Sequence, residues 1–363
     1  MGFDYQKDDQ NIVTITIGME GHSANVINAK FLPLMSAALE KIQTDKTVTG
    51  VVLTSAKKTF LAGGDLEWIY RFTNPQDVFN SIQLFKDKTR TMETLGVPVV
   101  AAINGTALGG GFELALACHH RIAIDSPKTK IGLPEVTLGL LPGAGGVARL
   151  TRLIGLEAAF PFLLEGKQVK PGVALKAGLI DDLASDRDDL MAKAKAWIIA
   201  NPESTQSWDK KDYKMPGGNS HHPKVAQMLA IAPAMLKKKT LGNYPAPEAI
   251  MNAAVEGALV DIDTALRIET RYLVQVATGK VSKNMINAFW FQMNEITSGA
   301  SRPNDIPPTD TKKLGVLGSG MMGHGIAYVS ALTGIEVVMT DATQESADKG
   351  LAAIAKIMKK IVD

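Results

Sequence analysis

Ile12-Val13-Thr14-Ile15-Thr16-Ile17 alternates β-branched apolar and hydroxyl side chains with period two, which predicts a strand with one buried face. The rhythm then changes. Phe31, Leu32, Leu34, Met35, Ala38, Leu39 and Ile42 recur at helical spacing, and Pro33 is admissible in a first turn. Gly50-Val51-Val52-Leu53-Thr54 is short and continuously apolar, as a strand buried on both faces would be. Val97 to Ile103 repeats that pattern and runs into a glycine-dense turn and a predicted helix from about Gly111 to Cys118; Arg121 to Ile124 gives a further strand. Strand and helix alternate through roughly the first 190 residues, which predicts an α/β arrangement with crossovers covering the sheet.

Beyond that point the pattern is helical. Residues 201–246 are polar and interrupted by Pro202, Pro216-Gly217-Gly218, Pro223 and Pro245, and read as a variable helical or loop region. Ala249 to about Glu295 is helical again, and its late cluster of Phe289, Trp290, Phe291 and Met293 reads as core or domain packing. Thr297 to Lys312 holds Gly299, Pro303, Pro307 and Pro308 and has linker composition. Leu314-Gly315-Val316-Leu317 is then a strand, Gly318-Ser319-Gly320-Met321-Met322-Gly323 opens a helix, and Glu336 to Asp341 is a second strand ending in a carboxylate. This is the G-x-G-x-x-G dinucleotide-binding fingerprint in its strand-turn-helix context, with an acid about 20 residues on. The expected organisation is a catalytic α/β core over 1–190, a helical region completing it over 191–296, a linker over 297–311, and the first part of an NAD-binding Rossmann fold over 312–363.

Composition narrows the function classes. A chain of 363 residues suggests two or three domains at roughly 150 residues each, and 45% hydrophobic residues can fill their cores. With 39 basic and 37 acidic residues the formal charge is +2, so no global field favours nucleic acid or an anionic membrane, and any anion site must be local. The single cysteine, Cys118, excludes an internal disulfide framework, and no Cys/His spacing resembles a zinc site. His119-His120 and His221-His222 are adjacent pairs whose side chains diverge, which suits surface or local roles. Met1-Gly2-Phe3-Asp4 lacks the basic and apolar regions of a secretory signal, and no apolar run reaches the ~18 residues of a membrane span. A soluble, cytoplasmic protein is expected.

The chemistry concentrates on two turns and two acids. Phe60-Leu61-Ala62-Gly63-Gly64-Asp65-Leu66 and Asn104-Gly105-Thr106-Ala107-Leu108-Gly109-Gly110-Gly111-Phe112-Glu113 can offer backbone N–H groups that no side chain obstructs. Glu113 sits among apolar residues that would desolvate it, and Glu135 follows Pro134 and precedes another glycine-rich segment. Singly, Glu113 also reads as a helix-start carboxylate and Glu135 as a capping or surface acid. Lys237-Lys238-Lys239 reads as a solvated face.

Phe60 to Leu66, Asn104 to Glu113, Pro134-Glu135, and Leu141-Pro142-Gly143-Ala144-Gly145-Gly146 with Arg149-Leu150 together resemble the consecutive signatures of the enoyl-CoA hydratase/isomerase (crotonase) superfamily. Gly166 to Val169 and Ala177 to Asp181 continue the match, and Lys312 to Asp341 resembles the start of 3-hydroxyacyl-CoA dehydrogenases. That order is similar to the α subunits of fatty acid β-oxidation multienzyme complexes. The resemblance implies a crotonase-like ββα spiral, an acyl-CoA substrate and a thiolase partner for the full-length protein. It implies oxyanion-hole amides at Gly64 and Gly110, catalytic glutamates at Glu113 and Glu135, and a supporting glycine at Gly143. It implies NAD contacts at Gly318, Gly320, Gly323 and Asp341. Lys57-Lys58 would meet coenzyme A phosphates or form a solvated pair.

The implied reaction is hydration of a trans-2-enoyl-CoA, with Glu113 as principal water base and Glu135 as the acid for C2. The alternatives are Δ3-Δ2-enoyl-CoA isomerisation at the same site or a non-catalytic acyl-CoA-binding scaffold subunit. The dehydrogenase part ends before that family's catalytic histidine, so no dehydrogenase activity and at best weak NAD binding are expected. So small a parallel sheet should be poorly ordered or docked.

Overall fold

A computed structural model describes residues 2–362 apart from Glu20, His22, Ser301, Asn304 and Pro308, with side chains as far as Lys359. Pro308 of the expected linker, Met1 and Asp363 therefore lie outside the described residues. The chain forms two compact units, Met1–Asn294 and Glu295–Asp363.

In the first unit, strands β1 (Gly2–Lys7), β2 (Ile12–Gly18), β3 (Gly50–Ser55), β4 (Val99–Ile103), β6 (His120–Ile124) and β9 (Asp182–Ala184) form one sheet in the order β1-β2-β3-β4-β6-β9. Only β1 and β2 pair antiparallel. Short strands β5 (Ala107–Leu108), β7 (Ile131–Gly132) and β8 (Gln168–Val169) form a second sheet. The chain visits the large sheet, the small sheet and a helix in turn, so β4-β5 is followed by helix α4 (Gly110–Leu116, below). This is the ββα recurrence the sequence suggested.

Helices α1 (Phe31–Thr44), α2 (Leu66–Tyr70) and α3 (Pro75–Glu93) precede β4, and α4 follows β5. Helices α5 (Gly146–Ile154), α6 (Leu156–Leu164), α7 (Pro171–Lys176) and α8 (Arg187–Ala200) surround β8 and β9. The central strands are apolar on both faces because both are covered. Val52, Val100, Ala102 and Ile122 pack with Leu190, Ala194 and Ile198 of α8. Their alternate neighbours Val51, Leu53, Val99, Ala101 and Ile103 join the main core with Phe31, Met35, Leu39, Phe85 and Phe112. Gly50 makes room for α8, since a Cβ there would stand 2.3 Å from Ile198 Cγ2.

The remaining helices are α9 (Pro223–Thr240), α10 (Pro245–Gly257), α11 (Ile262–Ala277) and α12 (Lys280–Ile286), followed by a π turn (Asn287–Gln292) and α13 (Met293–Ser298). One expectation is met here and another is corrected. The region 201–246 contains an 18-residue helix, α9, because Pro223 starts it at a position where no N–H is needed. The late aromatic cluster is not core: Phe289, Trp290 and Met293 are exposed, and Phe291 packs edge-on against Tyr70 at 5.2 Å. The π turn widens the helix there and rotates those side chains off the apolar stripe.

In the second unit, β10 (Lys313–Leu317) and β11 (Glu336–Thr340) pair parallel, with α14 (Met321–Leu332) and α15 (Gln344–Val362) packed beside them. Val316 and Ala327 are buried, whereas Leu317, Met321, Met322 and Val338 are exposed. Among the described residues no helix is long and apolar enough to cross a membrane.

Candidate functional site

The two glycine turns leave neighbouring parallel strands, β3 and β4, and meet backbone to backbone. Leu61 bridges Ala107, Leu108 N–H donates to Leu61 O at 3.2 Å, and a Cβ on Gly111 would lie only 2.2 Å from Leu61 O. Fully buried Asn25 pins the first turn: its Nδ2 donates to Ile17 O, Ser55 Oγ and Phe60 O, and its backbone O accepts from Ala62 N. Ile27 completes the grip, donating to Gly63 O at 2.8 Å and accepting from Asp65 N at 2.9 Å.

This geometry skips one amide. Gly64 N–H has no acceptor among the described residues, and neither has Gly110 N–H at the start of α4. The two lie side by side, because a Cβ built on Gly110 would be 3.5 Å from Gly64 N. Protected amides without partners are rare, and a close pair of them can receive an anionic oxygen.

Both acids arrive at the same place. Glu113, in the first turn of α4, is 2% exposed, and its Oε1 accepts from Ala144 N and Gly146 N, both at 2.7 Å. Glu135 is delivered from β7: Gly109 N–H donates to Gly132 O at 3.0 Å, and the Glu135 carboxyl comes so near that a Cβ on Gly109 would stand 2.7 Å from Oε1. Gly109 tolerates this at φ +53°, in the left-handed region. Glu135 Oε2 is buried and has no hydrogen-bond partner among the described residues.

Burial comes first among the causes that raise both acids. Burial pushes Glu135 up to about 8. Burial also pushes Glu113 up, reinforced by the charges of Glu135 and Glu269 and opposed by the Gly146 amide and Lys86. Two nearby carboxyls cannot both ionise cheaply.

The segment facing Glu113 is clamped from behind. Glu269 of α11, 1% exposed, accepts from Gly145 N at 2.8 Å and Ala148 N at 2.9 Å and pairs with the fully buried Lys86 of α3 at 2.7 Å. Arg149 of α5 pairs with Glu93 of α3 at 2.7 Å and donates to Ala144 O and Thr89 Oγ1. Gly143 belongs to this packing: a Cβ there would lie 2.2 Å from Leu273 Cδ2, so glycine admits α11 against the turn. Sequence reasoning passed over Lys86, Glu93 and Glu269. The available signal was their place on buried stripes, with Lys86 and Glu93 on the face of α3 that carries Phe85, Thr89 and Met92, and Glu269 between Leu266 and Leu273 on α11.

His119, His120 and Cys118 serve the packing of the first unit. His119 Nδ1 accepts from Val99 N, and its Nε2 faces Glu93 O at 3.1 Å, tying β4 to α3. His120 stacks on Trp197 at 4.4 Å. The Cys118 thiol is buried and pushed up to about 12. Lys57 gives its carbonyl to Asn104 Nδ2, and the Lys58 side chain is exposed.

In the second unit Gly318 and Gly320 lie in the turn between β10 and α14, and Gly323 lies in the first turn of α14. Gly318 has φ +95°, and a Cβ on Gly323 would lie 1.7 Å from Gly318 O, so glycine is needed for helix and turn to touch. Asp341 reaches this turn from β11: its Oδ2 accepts from Ser319 N at 2.7 Å and from Ser319 Oγ. The Ser319 hydroxyl, first among its donors, holds the Asp341 carboxyl below the usual range. Ser319 was not singled out by the sequence pattern, which records only the glycines.

The sequence profile described as Enoyl-CoA hydratase/isomerase matches residues 7–207, and that described as 3-hydroxyacyl-CoA dehydrogenase, NAD binding domain, matches residues 313–363. The chain is 34% identical over 363 residues to the fatty acid oxidation complex subunit alpha of Shewanella loihica, covering 99% of this chain and 50% of that one. The same-named protein of Shewanella halifaxensis is also 34% identical, over 360 residues. The chain thus spans about half the length of the curated relatives it matches. Among solved structures, an enoyl-CoA hydratase from Bacillus anthracis superimposes with TM-score 0.51 at 26% identity, covering 84% of this chain and 98% of that one. An enoyl-CoA hydratase from Bacillus halodurans shares the fold with TM-score 0.57 at 22% identity, over 79% of this chain and 100% of that one.

Proposed function

Because the chain belongs to the enoyl-CoA hydratase/isomerase family, we propose that Met1–Asn294 adds water across the 2,3-double bond of a trans-2-enoyl-CoA, giving a 3-hydroxyacyl-CoA. The observation that carries this reading is the pair of acceptor-free amides of Gly64 and Gly110 beside two carboxyls in unequal surroundings.

When water adds at C3, negative charge builds on the thioester oxygen. Gly64 N–H and Gly110 N–H stabilise it, and each such donor contributes about 2.7–4 kcal/mol to lowering a barrier of this kind. The N-terminus of α4 adds the positive end of its dipole. Glu113 and Glu135 share one proton, and the hydrogen bonds decide where it resides. Two amides at 2.7 Å favour the anion on Glu113, whereas Glu135 Oε2, with no donor, favours the neutral acid. Glu113 therefore takes the proton from water, and Glu135 delivers one to C2. Both amides converge on Oε1 of Glu113, which leaves Oε2 to hold the water. Gly143 supports the site by admitting Leu273 rather than by touching substrate.

The second unit fits NAD. Nothing lies within 4 Å of a Cβ built on Gly320, so a pyrophosphate can approach the N-terminus of α14, with Gly318 and Gly323 shaping the turn. Asp341 would take the ribose hydroxyls. NAD, when bound, accepts a hydride, and the match of residues 313–363 to the NAD-binding domain of 3-hydroxyacyl-CoA dehydrogenases supports 3-hydroxyacyl-CoA oxidation as a second activity of the whole protein. An acyl-CoA substrate, a thiolase partner and a cytoplasmic location belong to the same proposal.

Crotonyl-CoA hydration, followed as loss of the conjugated thioester absorbance, tests the reading. The expected result is turnover by the wild-type chain and its collapse in Glu135→Gln, with thioester binding nearly intact. Wild-type hydration by Glu135→Gln would sink the assignment.

A further inference from the structure

Along the turn from Ala144 to Ala148, backbone amides alternate between two buried carboxylates. Ala144 N and Gly146 N donate to Glu113, and Gly145 N and Ala148 N donate to Glu269. Gly145 makes the alternation possible at φ +109°, where its Cβ would collide with Arg149 Nη1. Glu269 lies in α11, beyond residues 7–207, and the sequence signatures of the site do not include it.

Lys86 fixes Glu269 in turn. Its ammonium is 0% exposed and bonds to Glu269 Oε1 at 2.7 Å, Leu266 O at 2.7 Å and Thr270 Oγ1 at 2.8 Å, using all three of its protons. A buried ion pair of this kind is commonly no more stabilising than apolar residues of the same volume, so its presence calls for a role other than stability.

We propose that Glu269, held by Lys86, is a positioning residue of the hydration site: it grips the Gly145 and Ala148 amides from behind and thereby presents the Ala144 and Gly146 amides to Glu113. The inference rests on the hydration reading above. Glu269 acts through the turn and touches no substrate. Without its grip the turn relaxes and Glu113 loses the two donors that keep it an anion, and misplacement of this sort costs about 100-fold in rate.

A second consequence distinguishes positioning from mere packing. The charged groups around Glu113 are Glu135, Lys86 and Glu93 of α3, Arg149 of α5 and Glu269 of α11. The negative charge of Glu269 holds both Glu113 and Glu135 up. Neutralising it lowers Glu135, so the alkaline limb of the pH profile moves to lower pH.

The test uses crotonyl-CoA hydration by the full chain in two variants, Glu269→Gln and the apolar double variant Lys86→Met/Glu269→Met, with folding checked by circular dichroism. Expected for Glu269→Gln is a kcat about 100-fold lower, KM within about threefold of wild type, and an alkaline limb of the kcat profile shifted to lower pH. The double variant is expected to fold with a similar loss of kcat, which separates positioning from stability. A folded variant with wild-type kcat and an unshifted profile overturns the proposal, and so does failure of both variants to fold, which makes the pair structural. A wild-type chain that hydrates no 2-enoyl thioester removes the hydration reading itself, and the positioning role falls with it.

Discussion

Gly110→Ala probes the oxyanion pair with little cost to the fold. The new methyl would stand 3.5 Å from Gly64 N and 3.7 Å from Gly63 C, inside the space between the two acceptor-free amides. Its one close neighbour is Ile27 Cδ1 at 2.8 Å, the far end of a flexible side chain. Moving that methyl costs on the order of 1 kcal/mol. Gly110 has no positive φ and opens α4, where alanine gains up to about 1 kcal/mol over glycine. The two effects nearly cancel, so the thermal midpoint should move by only a few degrees. Activity should not survive so well, because the methyl keeps the thioester oxygen away from its donors. Loss of one donor alone, about 2.7–4 kcal/mol, lowers kcat roughly 100- to 1000-fold. Crotonyl-CoA hydration and thermal unfolding of the same preparation give both numbers. A folded Gly110→Ala variant hydrating at the wild-type rate would refute the reasoning. Gly111→Ala is the contrasting control: its Cβ would meet backbone, Leu61 O at 2.2 Å, so it should lose stability first.

Further outcomes follow from the same geometry. Glu135, raised from 4.5 to about 8, binds more proton in the folded than in the unfolded state between those values, so it makes stability fall as pH rises through that window. Glu135→Gln should abolish that slope and stabilise the chain at pH 8 by roughly 1–3 kcal/mol in denaturant titrations; an unchanged slope would argue against a neutral Glu135. Wild-type hydration should decline as pH rises past about 8, when the Glu135 acid is lost, and a kcat profile flat to pH 10 would count against that role. Lys86→Met alone leaves Glu269 buried and unpaired, and urea unfolding should show a loss of about 3–5 kcal/mol. Gly323→Ala drives a Cβ to 1.7 Å from Gly318 O, and hydrogen exchange across β10 and β11 should accelerate; unchanged protection would contradict the contact.

Much of the first unit was readable because its signals are local. The period-two run at Ile12 to Ile17 is β2, the helical stripe from Phe31 to Ile42 is the buried face of α1, and the apolar run at Val51 is a strand covered on both sides. β1 carried too few apolar residues to be noticed, since only one of its neighbours is a strand and most of it is exposed or half-buried. Phe289, Trp290 and Met293 misled because a π turn breaks the 3.6-residue period on which a buried stripe depends.

The candidate site divides in the same way. Which backbone could come close was legible in single positions and their neighbours: glycines at 64 and 110, an acid one turn into α4, and an acid after β7. Packing at long range is what leaves two amides without acceptors and Glu135 Oε2 buried without a donor among the described residues, gives Glu113 two donors, and sets Lys86 and Glu269 behind the turn. The reason is range. A turn is specified by a few adjacent residues, but an unpaired amide or a shifted carboxyl is set by groups brought together from α3, α4, α5 and α11, and their meeting is set by the packing of the whole core.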